Sequence, residues 1–297
     1  MNEPCGQYID LHVHSQCSDG KKSVKEIIDF CLNNKVGVIS LVEHYNLGSY
    51  KKARKLAGDR IEIIPGMEFG TDIKQYGLSK NHVCHIAAYY PSGKIMRSVV
   101  DKYETSRDVC VKKTLQELNK KYIFISKSDV MQNARKPSSI GRFDIAITLA
   151  KLGYAKDPLS AYGEFLDQGM PGYVERTKLS PGELIKEIRL VNGVPALVHP
   201  KSLKLSNNDL FEFLKLLKSY GLEGLEVYNP HHTKEQTETF LNMAYELSLI
   251  TTVGSDFHGR SDSDIKIGSG IKHNLCINDY YIIEELKKRH KIILYAA

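Results

Sequence analysis

Apolar and polar positions alternate through YIDLHVHS (residues 8–15), and the spacing then lengthens to three or four residues in SVKEIIDFCLNN (23–34). An almost unbroken apolar run follows, VGVISLVEH (36–44). Period two predicts a strand, the longer period an amphipathic helix, and the apolar run a strand buried on both faces. A short helix near SYKKARKLA (49–57) leads to strands in RIEIIPGMEFG (60–70) and HVCHIAAYY (82–90). The rhythm returns with VPALVHP (194–200), DLFEFLKLLKSYG (209–221), GLEGLEVYNP (221–230), KEQTETFLNMAYELS (234–248) and LITTVGSDFHG (249–259). Alternating strands and helices predict an α/β fold with a mainly parallel sheet, and this many units predicts a barrel.

Between these halves the periodicity is helical, through 94–121, 139–153, 157–169 and 180–193. Ser180 and Glu183 stand three apart ahead of an apolar run, the pattern of a capping box. The expected organisation is a barrel domain from 1–94 and 193–297, interrupted by a mainly helical insertion over 95–192.

Composition adds a compartment. With 42% hydrophobic and 26% charged residues the chain is globular, and no apolar run reaches the roughly 18 to 20 residues that span a bilayer. The opening MNEPCGQYIDLHVHS has no basic stretch leading into an apolar one, so a cytoplasmic protein is expected. The net charge of +6 comes from lysines spread along the whole chain, including KKARK at 51–55, which reads as a solvated surface rather than a nucleic-acid face. Cys5, Cys17, Cys31, Cys84, Cys110 and Cys276 form no CxxC pair and read as reduced packing thiols.

Candidate chemistry starts in the first strand, where His12 and His14 share a face and Leu11 and Val13 take the other. Two histidines on a half-buried strand are as ordinary as a metal pair, so the remaining chain has to decide. Asp19 lies just beyond that strand; His44 ends VGVISLVEH; Glu68 follows the turn in IIPGMEF; His85 sits in HVCHIAAYY. His199 ends PALVHP, and Asp256 and His258 end TTVGSDFHG. Singly, His44 or His85 would pass as a packed core histidine, Glu68 as a cap or ion-pair partner and Asp256 as a turn residue. Nine such residues at or near strand ends call for one explanation, because in an α/β barrel those ends share a face. Imidazole and carboxylate suit zinc, iron or manganese, and the lack of a thiolate cluster argues against iron–sulfur. Nine ligands exceed the need of one ion, so two or three divalent ions are expected. Such a cluster acidifies water and neutralises phosphate oxygens, which is what phosphoester hydrolysis requires.

The set DLHVHS with SDG, VEH, PGME, HIAAYY, VHP, EVYNP and GSDFHG resembles the PHP (polymerase and histidinol phosphatase) superfamily of metal-dependent phosphoesterases, from residue 8 to about residue 259. The resemblance implies a distorted barrel of seven β/α units and a trinuclear site. It would place His12, His14, Glu68 and Asp256 on one ion, Glu68, His85 and His199 on a second, and Asp19, His44 and His258 on a third. The stretch from IGRFDIAITLAKLGY (140–154) to VPALVHP is similar to the branch containing nucleoside 3′,5′-bisphosphate phosphatases and the 5′ to 3′ exoribonuclease of short RNAs. In that branch an arginine at the position of Arg142 is expected to grip phosphate, which its planar fork fits bidentately. Arg176 and His232 are further phosphate contacts, with a surface salt bridge an equal reading for Arg176.

Two positions depart from the family pattern. Phe143 and Asp144 stand where Pro-His is usual, and an acid there would repel a phosphate. Glu43 replaces the usual Asp before the histidine of the second motif, where it could still orient a ligand. The activity implied is hydrolysis of a terminal phosphate on a nucleotide or short oligonucleotide by metal-activated water, with His199 or His258 assisting proton transfer. Histidinol-phosphate phosphatase is the nearest alternative. A metal-stabilised nucleic-acid-binding or proofreading accessory module is the alternative of another class. No membrane association and no obligate protein partner is expected.

Overall fold

A computed structural model of the chain describes residues 7–78, 82–134 and 139–296. It contains two compact units, Met1–Val99 with Leu179–Ala297, and Val100–Lys178. In chain order the elements are β1 (Tyr8–Val13), α1 (Val24–Asn33), β2 (Val36–Leu41), α2 (Gly48–Ala57), β3 (Glu62–Gly70), β4 (His85–Tyr89) and α3 (Gly93–Lys120). Then come α4 (Lys127–Asn133), α5 (Arg142–Lys151), α6 (Pro158–Ala161), α7 (Pro181–Leu190), β5 (Val194–Val198) and α8 (Asn207–Ser219). The last are β6 (Gly224–Tyr228), α9 (Lys234–Glu246), β7 (Ile250–Val253) and α10 (Tyr281–Ala296). Helix α7, which the periodicity assigned to the insertion, belongs to the first unit. Its start is the expected capping box: the Ser180 hydroxyl accepts the Glu183 N–H at 3.3 Å, and the Glu183 carboxylate accepts the Ser180 N–H at 2.8 Å.

The seven strands form one sheet in sequence order. β1, β2 and β3 pair in parallel, as do β5, β6 and β7, while β4 runs antiparallel to both its neighbours. That reversal positions a functional residue. His85 opens β4 opposite Gly70 at the end of β3 and Val198 at the end of β5, so the first residue of β4 lies where the parallel strands finish. The sheet curls onto itself: the His14 N–H donates to the Phe257 carbonyl and the Asp256 N–H to the His12 carbonyl, both at 2.9 Å, tying the segment after β7 to β1.

Leu11 and Val13 do not share a core. Leu11 packs with Ile9, Val38, Ile64, Tyr89 and Ala196, whereas Val13 packs with Ile39 and Leu41 against Ile27 and Ile28 of α1 and Ala53 of α2. The cause is local, because β1–β2 pairing shifts register between Asp10 and Val13 and a slip redirects the side chains beyond it. Glycine is required where the chain leaves β7. A Cβ on Gly254 would lie 2.2 Å from the His12 Cβ and 2.6 Å from a Glu226 carboxylate oxygen.

The second unit has its own core, in which Leu118, Val130, Ile145, Leu149 and Leu166 are buried together. Asp144 belongs to that local structure. Its carboxylate accepts the Gly141 N–H at 2.8 Å at the start of α5, where an acid complements the helix dipole. The described cysteines are free thiols, and Cys5 lies outside the described residues.

Candidate metal centre

β1 supplies His12 and the residue after the strand is His14, both fully buried, and the turn that follows supplies Asp19. His44 follows β2, Glu68 lies within β3, His85 opens β4, His199 follows β5, and Asp256 and His258 follow β7. The curled sheet brings all nine together. Three groups each have ligand atoms within 4.8 Å of one another: His14, Asp19, His44 and His258; His12, Glu68 and His199; and His12, His14 and Asp256. His85 falls outside these groups but touches the same hub, its Nδ1 lying 2.8 Å from Glu68 Oε1. His14 falls in two of them, joining Asp19, His44 and His258 as well as His12 and Asp256.

Glu68 is the hub. Its Oε1 faces His85 and His199 Nε2 at 3.2 Å, and its Oε2 faces His14 Nε2 at 3.2 Å, His44 Nδ1 at 3.3 Å and His12 Nε2 at 3.6 Å. Asp256 Oδ1 lies 3.3 Å from His12 Nε2 and 3.5 Å from His14 Nε2, and Asp19 Oδ2 lies 3.3 Å from His258 Nε2. Yet His12 Nε2, His14 Nε2 and His44 Nδ1 are buried with no hydrogen-bond partner. Buried polar nitrogens are normally satisfied, so three orphans aimed at carboxylates need a cause. Two ligands of a tetrahedral ion, each about 2.0 to 2.1 Å from it, stand about 3.3 Å apart. The spacing and the orphaned nitrogens fit shared cations, and so does the donor chemistry. His199 and Asp256 also sit at left-handed φ of 33° and 55°, uncommon outside glycine and a mark of constrained functional positions.

A layer of buried acids holds these groups. Glu226, fully buried on β6, accepts from His12 Nδ1 at 2.8 Å, the His199 N–H at 3.0 Å and Asn229 Nδ2 at 2.8 Å. With Nδ1 donating, the His12 Nε2 lone pair is left for a cation, the usual way an outer carboxylate fixes a ligand tautomer. Asp10 accepts the backbone N–H groups of His12 at 3.2 Å, Ser255 at 2.9 Å and Gly268 at 2.8 Å, and burial pushes its carboxyl up to about 6. Glu43 accepts from the Ser15 N–H and from the hydroxyls of Ser15 and Ser18, bracing the turn that leads to Asp19. Sequence reasoning gave Glu226 and Asp10 no role. The signal was present, since both are acids in strands otherwise apolar enough to be buried, and a buried acid needs partners.

Electrostatics divides the imidazoles. Burial lowers His14 to about 4 and also lowers His85. Burial opposes the charge on His12 too, but Glu226, Glu68 and Asp256 outweigh it and raise the ring well above its usual value. His199 and His258 are likewise raised against burial, by Glu68 and by Asp19 with Asp256. Burial would raise Glu68, but the surrounding imidazoles hold it well below the usual carboxylate range.

The centre floors a cavity of about 580 Å³ whose lining includes Lys201, Lys204, Arg260 and His232. His232 donates from Nδ1 to the Val227 carbonyl at 2.9 Å, and its Nε2 is buried without a partner. Arg142 and Arg176 lie in the second unit. There Arg142 Nη2 donates to the Val174 carbonyl with its guanidinium 5.1 Å from the Tyr173 ring centre, and Arg176 Nη2 donates to the Tyr103 carbonyl at 2.9 Å.

Comparison with known proteins gives this constellation a lineage. The PHP domain family matches residues 10–175, more than half of the chain. The chain belongs to the PHP domain family. Among curated relatives, a 5′-3′ exoribonuclease of Haemophilus influenzae is 24% identical over 252 residues, covering 84% of this chain and 89% of the relative. A 3′,5′-nucleoside bisphosphate phosphatase of Chromobacterium violaceum is 24% identical over 263 residues, covering 88% and 90%. A solved structure of an amidohydrolase from Chromobacterium violaceum superposes with a TM-score of 0.72 at 22% identity, covering 95% of this chain and 96% of that one, and shares the fold.

Proposed function

We propose that this PHP hydrolase cleaves a terminal phosphate ester of a nucleotide or short oligonucleotide in the cytoplasm, using two or three divalent ions of manganese, zinc or iron. The observation that carries the reading is Glu68 ringed by five imidazoles, with carboxylates at ligand spacing, beneath a cavity lined by cationic side chains. The two curated relatives act on nucleotide bisphosphate or on RNA by name. When bound, the ions supply a Lewis-acidic cluster that acidifies water and offsets phosphate charge.

The chain's own residues do the rest. His12, His14, Glu68 and Asp256 hold one ion, Glu68, His85 and His199 a second, and Asp19, His44 and His258 a third, with His14 close enough to support it. Lys201, Lys204 and Arg260 attract an anionic substrate into the cavity, and His232 offers Nε2 to a phosphate oxygen. Arg142 and Arg176 in the helical unit serve as further phosphate contacts. His258, whose ring Asp19 and Asp256 keep basic, is placed to carry a proton to the leaving oxygen, and His199 is the second group able to do so. Among the described residues no helix is long and apolar enough to cross a membrane.

The test is phosphate release by metal-loaded protein from a nucleoside 3′,5′-bisphosphate, a short 5′-phosphorylated RNA and histidinol phosphate. Release from either nucleotide substrate is expected. Turnover of histidinol phosphate alone would move the assignment to that activity, and no turnover of any would end the hydrolytic reading.

Loading should also be visible as protons. A cation bonds only unprotonated imidazole, and His12, His199 and His258 are held above the ordinary value, so ion binding displaces protons and strengthens as pH rises. In weakly buffered solution at pH 6 to 7, adding Mn²⁺ to chelator-stripped protein should acidify the medium stoichiometrically. Binding without proton release would show that these rings are not the ligands.

A further inference from the structure

The turn that joins α3 to α4 presents two aromatic rings to water. Tyr122 is 81% exposed and Phe124 67%, with ring centres 6.5 Å apart in an edge-to-face arrangement. This is not a frayed end. The Tyr122 N–H donates to the Asn119 carbonyl at 3.1 Å, Ile123 N–H to the Leu118 carbonyl at 3.1 Å, Phe124 N–H to the Tyr154 hydroxyl at 3.2 Å, and Ile125 N–H to Asn119 Oδ1 at 3.0 Å. Tyr122 takes a left-handed φ of 63°, a conformation a bulky residue rarely adopts. The fold thus spends four hydrogen bonds and an unfavourable backbone angle on holding two rings outside its core.

The surroundings say what would cover them. Lys112, Lys113, Lys121 and Lys127 are exposed and have no carboxylate partner among the described residues, while Lys120 pairs with Glu117 at 2.7 Å. Lys112 and Lys127 line a cleft of about 430 Å³ between α3 and α4, whose one acid is Asp108. Of the other nearby acids, Glu117 is taken by Lys120 and Asp129 is engaged in capping α4 with Ser126. Lysine is depleted at protein–protein interface cores, and the exposed positions of α3 here, Lys112, Lys113, Gln116, Asn119 and Lys120, are polar with Val109 as a lone apolar residue, not the apolar stripe a membrane helix needs. Exposed aromatic faces flanked by unpaired cations are the combination that binds single-stranded nucleic acid, the rings stacking on bases and the lysines meeting phosphates.

From this we infer that the helical unit carries a single-stranded nucleic-acid binding surface, with Tyr122 and Phe124 as stacking platforms and Lys112, Lys113, Lys121 and Lys127 along the backbone track. It does not depend on the proposed hydrolytic activity, since its readout is binding without turnover. The net charge spread over the whole chain gave no hint of it; the local pairing does.

The experiment is fluorescence anisotropy of the full metal-loaded chain with a labelled, hydrolysis-resistant 2′-O-methyl oligouridylate of about 12 nucleotides, within the usual site sizes. Binding that weakens with salt is expected. Tyr122→Ala with Phe124→Ala should weaken it by about tenfold or more at an unchanged thermal midpoint, because each lost stack is worth that much and neither ring is in the core. Lys112→Gln with Lys113→Gln should flatten the plot of log affinity against log salt by about 1.4, two single-strand phosphate contacts. No binding up to about 100 µM protein at low salt, the weak limit for non-specific association, would overturn the inference. So would unchanged affinity in both double variants. Vesicle sedimentation with phosphatidylserine that the aromatic variant abolishes, without RNA binding, would assign the rings to a membrane and overturn it equally.

Discussion

Glu68→Gln should lower phosphate release by about a thousandfold or more, equivalent to about 4 kcal/mol of transition-state stabilisation, and should leave the purified protein short of bound ions. The argument rests on where this one carboxylate sits. Its two oxygens face five imidazoles contributed by β1, β4 and the segments after β1, β2 and β5, so most of the strands that build the centre meet at this side chain. Glutamine keeps the volume and one carbonyl oxygen but loses the charge, and its amide turns donors toward nitrogens that need a shared cation. As the ligand shared by the first two proposed ions, Glu68 takes a donor from both at once when replaced. Elemental analysis and kcat should fall together. Wild-type ion content with kcat within tenfold of wild type would show that Glu68 is a packed acid and not a bridging ligand.

The second large effect concerns a residue that touches no ion. Glu226→Gln should reduce ion affinity or activity by about 10- to 100-fold, the usual cost of losing an outer carboxylate behind a ligating histidine. The amide can still accept from one partner, but it cannot accept from His12 Nδ1 on one oxygen while the other serves His199 and Asn229. Glu226→Ala goes further. It strands three buried donors, and breaking a buried charged pair typically costs about 3 to 5 kcal/mol, so a lower thermal midpoint is expected beside the functional loss. Titration of Mn²⁺ into each variant separates the effects, because the glutamine variant should fold normally and bind weakly. If it binds as tightly as wild type, the His12 tautomer does not depend on Glu226.

These two residues also mark how much could be read from the chain. All nine predicted ligands converge, and the motifs around them matched a family whose fold the structure displays. Histidines and acids are dear to bury, so a strand that spends them at its end announces a site even before its neighbours are known. Glu43 was expected to orient a ligand from behind. Its carboxylate accepts from Ser15 and Ser18 in the turn before Asp19. Asp144 was expected to repel a phosphate, and its local partner is the Gly141 N–H at a helix N-terminus. In both cases the residue type was informative and the partner was not, because a carboxylate accepts equally well from a backbone amide, a serine or an imidazole.

Periodicity, capping patterns and the placement of chemistry-bearing residues are local properties, and they determined the alternation of strands and helices, the helical middle and which residues are candidates for the site. Pairing direction, register and the partition into units are properties of distant segments meeting. Only the tertiary structure could reverse β4 so that its first residue, His85, joins residues that follow other strands, or divert Val13 from Leu11 through a register shift. Only it could put Glu226 behind His12, 214 positions away in sequence. It also decided which lysines stay unpaired beside Tyr122 and Phe124, since a charge count sums over a surface whose ion pairs form between neighbours in space.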